Sequence, residues 1–229
     1  MIIQEGKELL EQDKKKSNMI LRILSAFVIG PLFIISIMWF APLFYILMLL
    51  VLIGMLYEWY NMTKSSRLYL LIGLIILPLP VLSLIYLRTN DTNQWLLLLY
   101  FAIIWSVDTF AMIGGKNIGG LKLAPRISPN KTWSGLIVGV VSSSFISFCL
   151  SYVPGFNIDN YYFSSKDYLI MTSFCLSLIA QMSDLFISYF KRKFAIKDSG
   201  TIIPGHGGVL DRFDSIILTA PILFFIINI

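Results

Sequence analysis

The sequence predicts an all-α fold: a polytopic membrane helix bundle of about seven transmembrane helices, with the N-terminus cytosolic. Three observations predict it. Of the 229 residues, 57% are hydrophobic and only 14% are charged, with a mean hydropathy of +0.78; soluble domains are closer to half apolar, with the apolar residues broken up by period. Here the apolar residues run together in stretches long enough to cross a hydrocarbon core of ~30 Å. The basic residues concentrate in alternate connecting segments.

The elements follow in order. Residues 1–18 mix Glu5, Lys7, Glu8, Glu11 and Asp13 with Lys14 to Lys16, and read as a polar cytosolic segment. The first span runs from about Ile20 to Phe40. Its apolar run is too long for a signal core and has no small-residue cleavage site behind it, so no cleaved leader is expected. Ala41-Pro42 reads as a turn, and a second span covers about Leu43 to Tyr57. Glu58 and a polar link with Lys64 and Arg67 lead to a third span, Leu68 to Leu87, which Pro78 and Pro80 should kink. Residues 88–94 turn the chain. The fourth span, about Trp95 to Ile113, contains Asp108. A loop rich in glycine and cations follows, to Lys131. The fifth span covers Thr132 to about Tyr152. After a second polar loop, the sixth runs from about Tyr168 to Phe190 and contains Asp184. A long polar loop leads to the seventh, about Leu210 to Ile229. This divides the chain into a cytosolic segment (1–18), N-terminal spans (19–100) and a region carrying the chemistry (101–229).

Orientation follows from the cations. With the N-terminus inside, 16 of the 18 Lys and Arg fall in cytosolic segments, and only Arg88 and Lys166 fall outside. That is the positive-inside pattern. The net charge of +5 is thus a property of membrane loops, and no nucleic-acid partner is expected. Cys149 and Cys175 lie in apolar runs and are expected to be small buried hydrophobes.

Acids within spans are informative, because a carboxylate in lipid costs at least ~2.5 kcal/mol and needs a partner. On these spans Asp108 and Asp184 each lie roughly 8–9 Å below the cytosolic boundary, where they could share one cavity. Asp184, Ser188 and Lys191 are spaced i, i+4, i+7 and fall on one helical stripe, with Arg192 beside it. A carboxylate, a hydroxyl and an ammonium rising toward water suit a metal-bound polyphosphate. Pro204-Gly-His-Gly-Gly208 allows positive φ and leaves backbone N–H groups open to an anion. Asp211 and Asp214 begin the next helix, whose positive end faces the same place. His206 fits a base, a phosphate donor or a hydrogen-bonding turn residue. It is the single histidine, so any metal would be held by oxygen, which points to Mg²⁺. Ser128 reads as an N-cap with Pro129 first in the helix. Lys131 there is equally an interfacial anchor or a phosphate ligand.

Ser188-x-x-Lys191-Arg192, Lys197-Asp198-x-Gly200 and Pro204-x-His206-Gly207-Gly208-x-x-Asp211-Arg212-x-Asp214 resemble the signature of phosphatidate cytidylyltransferases (CDP-diacylglycerol synthases). Asp108-Thr109, Leu123-Ala-Pro125 and Ser128-Pro-x-Lys131-Thr132-Trp133 are similar to the same family and come in the same order. The resemblance runs from about Trp105 to Pro221. Ser134 stands where the family commonly has Glu, Ser183 where Gly often precedes the Asp-Leu pair, and Ile187 where an acid is frequent.

The resemblance implies Mg²⁺-dependent conversion of CTP and phosphatidate to CDP-diacylglycerol and pyrophosphate at the inner face of the plasma membrane. It implies Asp184 and Asp211 as metal ligands, with Asp108 a third acid. Lys131, Lys191, Arg192, Lys197 and Arg212 would offset charge on the leaving pyrophosphate, and Gly207 and Gly208 would let a phosphate approach. Asp184, Asp211, Lys197 and His206 form the expected catalytic set; Ser128 and Ser188 join the substrate-binding set. A CTP-dependent lipid or polyprenol kinase and an ion-coupled transporter are the competing readings. Pairing as a homodimer is left open.

Overall fold

The computed structural model describes residues 27–28, 30–90, 94–153, 165–203 and 207–228. The polar N-terminal segment, the aromatic loop around Tyr161 and His206 lie outside the described residues. The chain is predominantly helical. Helix α1 covers residues 30–38, followed by α2 (Ala41–Thr63), α3 (Arg67–Ile76), α4 (Pro78–Asn90) and α5 (Trp95–Asn117). Strands β1 (Lys122–Ala124) and β2 (Ser128–Thr132) come next, then α6 (Trp133–Leu150), α7 (Lys166–Lys193), α8 (Leu210–Phe213) and α9 (Ile216–Asn228).

Among the described residues, five helical stretches are long and apolar enough to cross a membrane: α2, α3 with α4, α5, α6 and α7. Helix α9 is apolar but shorter. The all-α reading is corrected in one place: β1 and β2 form an antiparallel hairpin, with Lys122 opposite Thr132 and Ala124 opposite Ser128. Two boundaries also differ from the sequence reading, and the kink expected at the prolines of the third span is present. The turn after α1 falls at Trp39-Phe40, and Pro42 sits in the first turn of α2, where its missing N–H costs nothing. The prolines of the third span separate α3 from α4 at Leu77. The last span is broken into α8 and α9 around Asp214 and Ser215.

The helices pack by small residues and hydroxyls, as membrane helices do. On α6, Gly135 and Gly139 lie against α5: a Cβ at Gly135 would meet Ala111 O at 2.5 Å, and one at Gly139 would meet Val107 O at 2.8 Å. This close seam fixes the helix that carries Asp108. Helices α6 and α7 are joined by two hydroxyl pairs, Ser143–Ser177 at 2.5 Å and Ser173–Ser147 at 2.7 Å. The Tyr100 hydroxyl of α5 meets Thr219 Oγ1 of α9 at 2.6 Å. The indole of Trp59 lies over Gly73 and donates to Tyr69 O at 2.8 Å, which closes α3 onto α2.

Three cationic segments gather at one end of the bundle. Lys193 of α7 bonds the Tyr69 hydroxyl beside the α2–α3 turn. Arg192 donates to Ile127 O of the hairpin turn at 3.0 Å and to Ile196 O at 3.1 Å. The loops expected on one membrane face are therefore neighbours. Gly139→Leu should force α5 and α6 apart and destabilise the protein by about 1–3 kcal/mol; an unchanged melting temperature of the purified protein in detergent would refute the tight seam.

Candidate active site

Two linked polar clusters occupy the cation-rich end. The first joins α5, α7, α9 and the hairpin. Asp108 and Asp184 each lie nine residues before the C-terminal end of their helices, Asn117 and Lys193, about 13 Å along the axis. That is deeper than the predicted span ends implied. Lys131, carried on β2, reaches down to Asp184 Oδ2 at 2.5 Å and to Gln181 Oε1 at 3.0 Å. The other end of Gln181 donates to Asp108 Oδ1 at 3.3 Å. The amide is thus read at both ends, its oxygen by an ammonium and its nitrogen by a carboxylate. Ser188 Oγ donates to Asp184 Oδ1 at 3.2 Å. The break between α8 and α9 brings in Ser215, whose hydroxyl reaches both oxygens of Asp108, at 3.2 and 3.0 Å. Asp214 Oδ1 accepts the Ser215 amide at 2.8 Å.

The second cluster centres on Asp211. Its Oδ1 pairs with Lys191 Nζ at 2.6 Å, with both side chains 9% exposed. Its Oδ2 accepts the amides of Ser199 at 2.9 Å and Gly208 at 3.3 Å. An ammonium and two amides on one carboxylate favour its charged form. Behind this loop sits Glu58 of α2, 1% exposed. It accepts Ser199 Oγ at 2.7 Å and the amides of Val209 and Leu210, both at 2.9 Å.

A cavity of about 450 Å³ opens beside both clusters, and Gly30, Phe33, Phe101 and Trp105 are among the residues that line it. Asp108, Asp211, Arg212 and Asp214 line it as well. Its wall therefore mixes aromatic side chains with three carboxylates and a guanidinium.

Three local expectations are corrected. Ser128 does not cap α6: it lies in β2, and Thr132 is the N-cap, its Oγ1 accepting Gly135 N at 3.1 Å. Pro129 is likewise in the strand and not at a helix start. The amides of Gly207 and Gly208 are engaged within the protein. Gly207 N donates to Ile203 O at 3.1 Å and Gly208 N to Asp211. The start of α8 faces Glu58 instead of an open anion site. Gly207 has the positive φ that its sequence implied, 91°. Gly208 is required for closeness, since a Cβ there would lie 2.0 Å from Ser199 Oγ.

Among the other predicted residues, Lys197 and Arg212 are exposed at this end, and Arg192 is spent on backbone carbonyls. Among the described residues, no three His, Cys, Asp or Glu side chains converge closely enough to hold a metal ion alone. A hard divalent cation often takes only one or two carboxylates and completes its shell with phosphates and water, so the oxygen-only donor set here fits such an ion bound together with its substrate.

The cytidylyltransferase family matches residues 64–229 of this chain. The chain belongs to that family. It is 66% identical over 226 residues to the phosphatidate cytidylyltransferase of Rickettsia bellii, covering 99% of this chain and 98% of the relative. It is 67% identical over 226 residues to that of Rickettsia felis, covering 99% of each. The phosphatidate cytidylyltransferase of Brucella abortus is 37% identical over 166 residues, which is 70% of this chain and 57% of the relative. Within this cytidylyltransferase, Glu58, Gly30 and Phe33 lie before the family match yet reach the site.

Sequence reasoning missed Glu58, Gln181 and Ser215. The rule that singled out Asp108 and Asp184, an acid at an apolar stretch, also applied to Glu58. Gln181 and Ser215 left no comparable signal. Because Lys191 and Asp211 are almost wholly buried, Lys191→Met should cost about 3–5 kcal/mol by stranding the carboxylate. Combined with Asp211→Asn the loss should be less than additive; additive melting shifts across the double-mutant cycle would show that the two side chains do not interact.

Proposed function

We propose that this chain transfers the cytidylyl group of CTP to phosphatidate, releasing pyrophosphate and forming CDP-diacylglycerol. The observation that carries the reading is a cavity lined by both aromatic and charged side chains. Phe33, Phe101 and Trp105 offer an apolar wall for acyl chains, and the acids and Arg212 stand where a phosphate headgroup would lie. The names of the close relatives support the same substrates. The cation-rich end faces the cytosol in this reading, at the inner membrane, so that CTP arrives from water and the lipid from the side.

The lipid phosphate is already anionic, so no strong base is needed. One of its oxygens attacks the α-phosphorus of CTP. The bond from that phosphorus to the bridging oxygen breaks, and pyrophosphate leaves with the electron pair. The protein's task is positioning and charge compensation. Lys131 and Lys191 rest on carboxylates and turn toward phosphates when these arrive. Lys197 and Arg212 stand at the exposed rim, where the leaving group departs, with Arg192 tying the hairpin beside them. Ser188 orients Asp184. His206, within the Pro204–Gly208 sequence, is assigned to phosphate contact. Asp184 and Asp211, with Asp108 beside them, would hold a divalent ion, Mg²⁺ in this proposal, which when bound neutralises phosphate charge.

Purified protein given CTP and phosphatidate should release pyrophosphate and form cytidine-bearing lipid in equal amounts, only when Mg²⁺ is present. CDP release with a phosphorylated alcohol would overturn the assignment. Asp184→Asn should lower turnover by about 10²–10³-fold while the protein still inserts, and Lys197→Ala should raise KM for CTP. Parent-like kinetics in Asp184→Asn would remove that residue from the chemistry.

A further inference from the structure

We propose that Glu58 is a positioning residue for this site: from α2 it holds the two loop segments that present Asp211. The inference rests on the nucleotidyl-transfer reading above and names a residue outside the region matched by the family.

A carboxylate at the end of an apolar helix needs compensation. Among the described residues, neither ion pair includes Glu58. Its charge is met by hydrogen-bond donors, and those come from one stretch of chain. Ser199 Oγ and Leu210 N donate to Oε2, and Val209 N donates to Oε1. The glycines of the same stretch are shaped to it: a Cβ on Gly200 would lie 2.5 Å from Glu58 Oε1, and one on Gly208 would lie 2.6 Å from Oε2.

Asp211 grips the same segments from the other side. Ser199 gives its hydroxyl to Glu58 and its amide to Asp211. Gly208 gives its amide to Asp211, and the next two amides go to Glu58. The loop is therefore clamped between two carboxylates, one buried in the N-terminal bundle and one lining the cavity. Moving the first must shift the donors that orient the second. A partner that orients a working carboxylate typically contributes 10- to 100-fold in activity.

Glu58→Gln keeps the shape but replaces one acceptor with a donor, so that an N–H faces an N–H or a hydroxyl. The expected result is a fall in kcat of about 10–100-fold, an unchanged KM for phosphatidate, and a higher Mg²⁺ concentration for half-maximal rate. Hydrogen exchange should accelerate at the Val209 and Leu210 amides, with the rest of the protein exchanging as in the parent. Parent-like kcat would overturn the proposal, as would slow exchange at those amides. Faster exchange throughout, with parent-like kcat in the folded fraction, would reduce Glu58 to a structural anchor and also overturn it.

If Glu58→Gln does not fold, Gly200→Ala serves, since its methyl group presses on the same carboxylate; it should show the same kcat loss, and parent-like kcat would refute the clamp. A parent protein that forms no cytidine-bearing lipid would sink the nucleotidyl-transfer reading instead. The exchange comparison still reads the Glu58 contact in that case.

Discussion

A carboxylate inside an apolar bundle must be given a cation or a set of donors, and this requirement organises the cation-rich end of the molecule. Asp184 takes Lys131, Asp211 takes Lys191, Asp108 takes Gln181 and Ser215, and Glu58 takes a hydroxyl and two amides. Each demand shapes the chain. The hairpin exists at the depth where Lys131 can reach α7. The last helix is broken where Ser215 must turn toward Asp108. The loop after α7 returns over α2 because Glu58 lies beneath it.

In the proposed reaction the two ion pairs also prepare the site for polyanions. An ammonium on a carboxylate keeps both charged at modest cost, whereas a lone buried charge would be forced neutral. When phosphates come near, each ammonium gains a partner of higher charge. The carboxylate it leaves is then free for a divalent ion brought in with the substrate. On this proposal the paired acids and lysines leave room for the phosphates to complete the shell of such an ion.

Much of this was legible in the sequence, for identifiable reasons. Long apolar runs located the helices, because lipid demands internally bonded backbone over a fixed length. Alternating cations placed three loops together, and Lys193 at Tyr69 with Arg192 at Ile127 bears out that neighbourhood. Asp108 and Asp184 were visible as acids in the wrong solvent, and Asp211 as an acid at a helix start behind a glycine-rich segment. What failed was local. Ser128-Pro129 carries the signals of a helix start, but pairing with Lys122–Ala124 took that segment into a strand, and the cap moved to Thr132. The Gly207-Gly208 amides looked free, but both are bonded locally, Gly207 N to Ile203 O four residues back and Gly208 N to Asp211 three residues on. Gln181 is an amide like any other until Lys131 and Asp108 are placed at its two ends.

The first two helices show why a generic apolar sequence can still be specific. The family match begins at residue 64, and apart from Glu58 nothing in the pattern of α1 or α2 distinguishes them from ordinary spans. Yet Gly30 and Phe33 form part of the cavity wall, and Val209 fills the space beside Gly54, where a Cβ would lie 2.9 Å away. One turn on, at i+4, Glu58 projects from the same helix face into the loop. A helix docked by such close contact has one rotation and one depth, so a single charged residue on it is delivered to a fixed point. Hydrophobic composition holds these helices in the membrane, but the small residues at their seams decide which side chains enter the site.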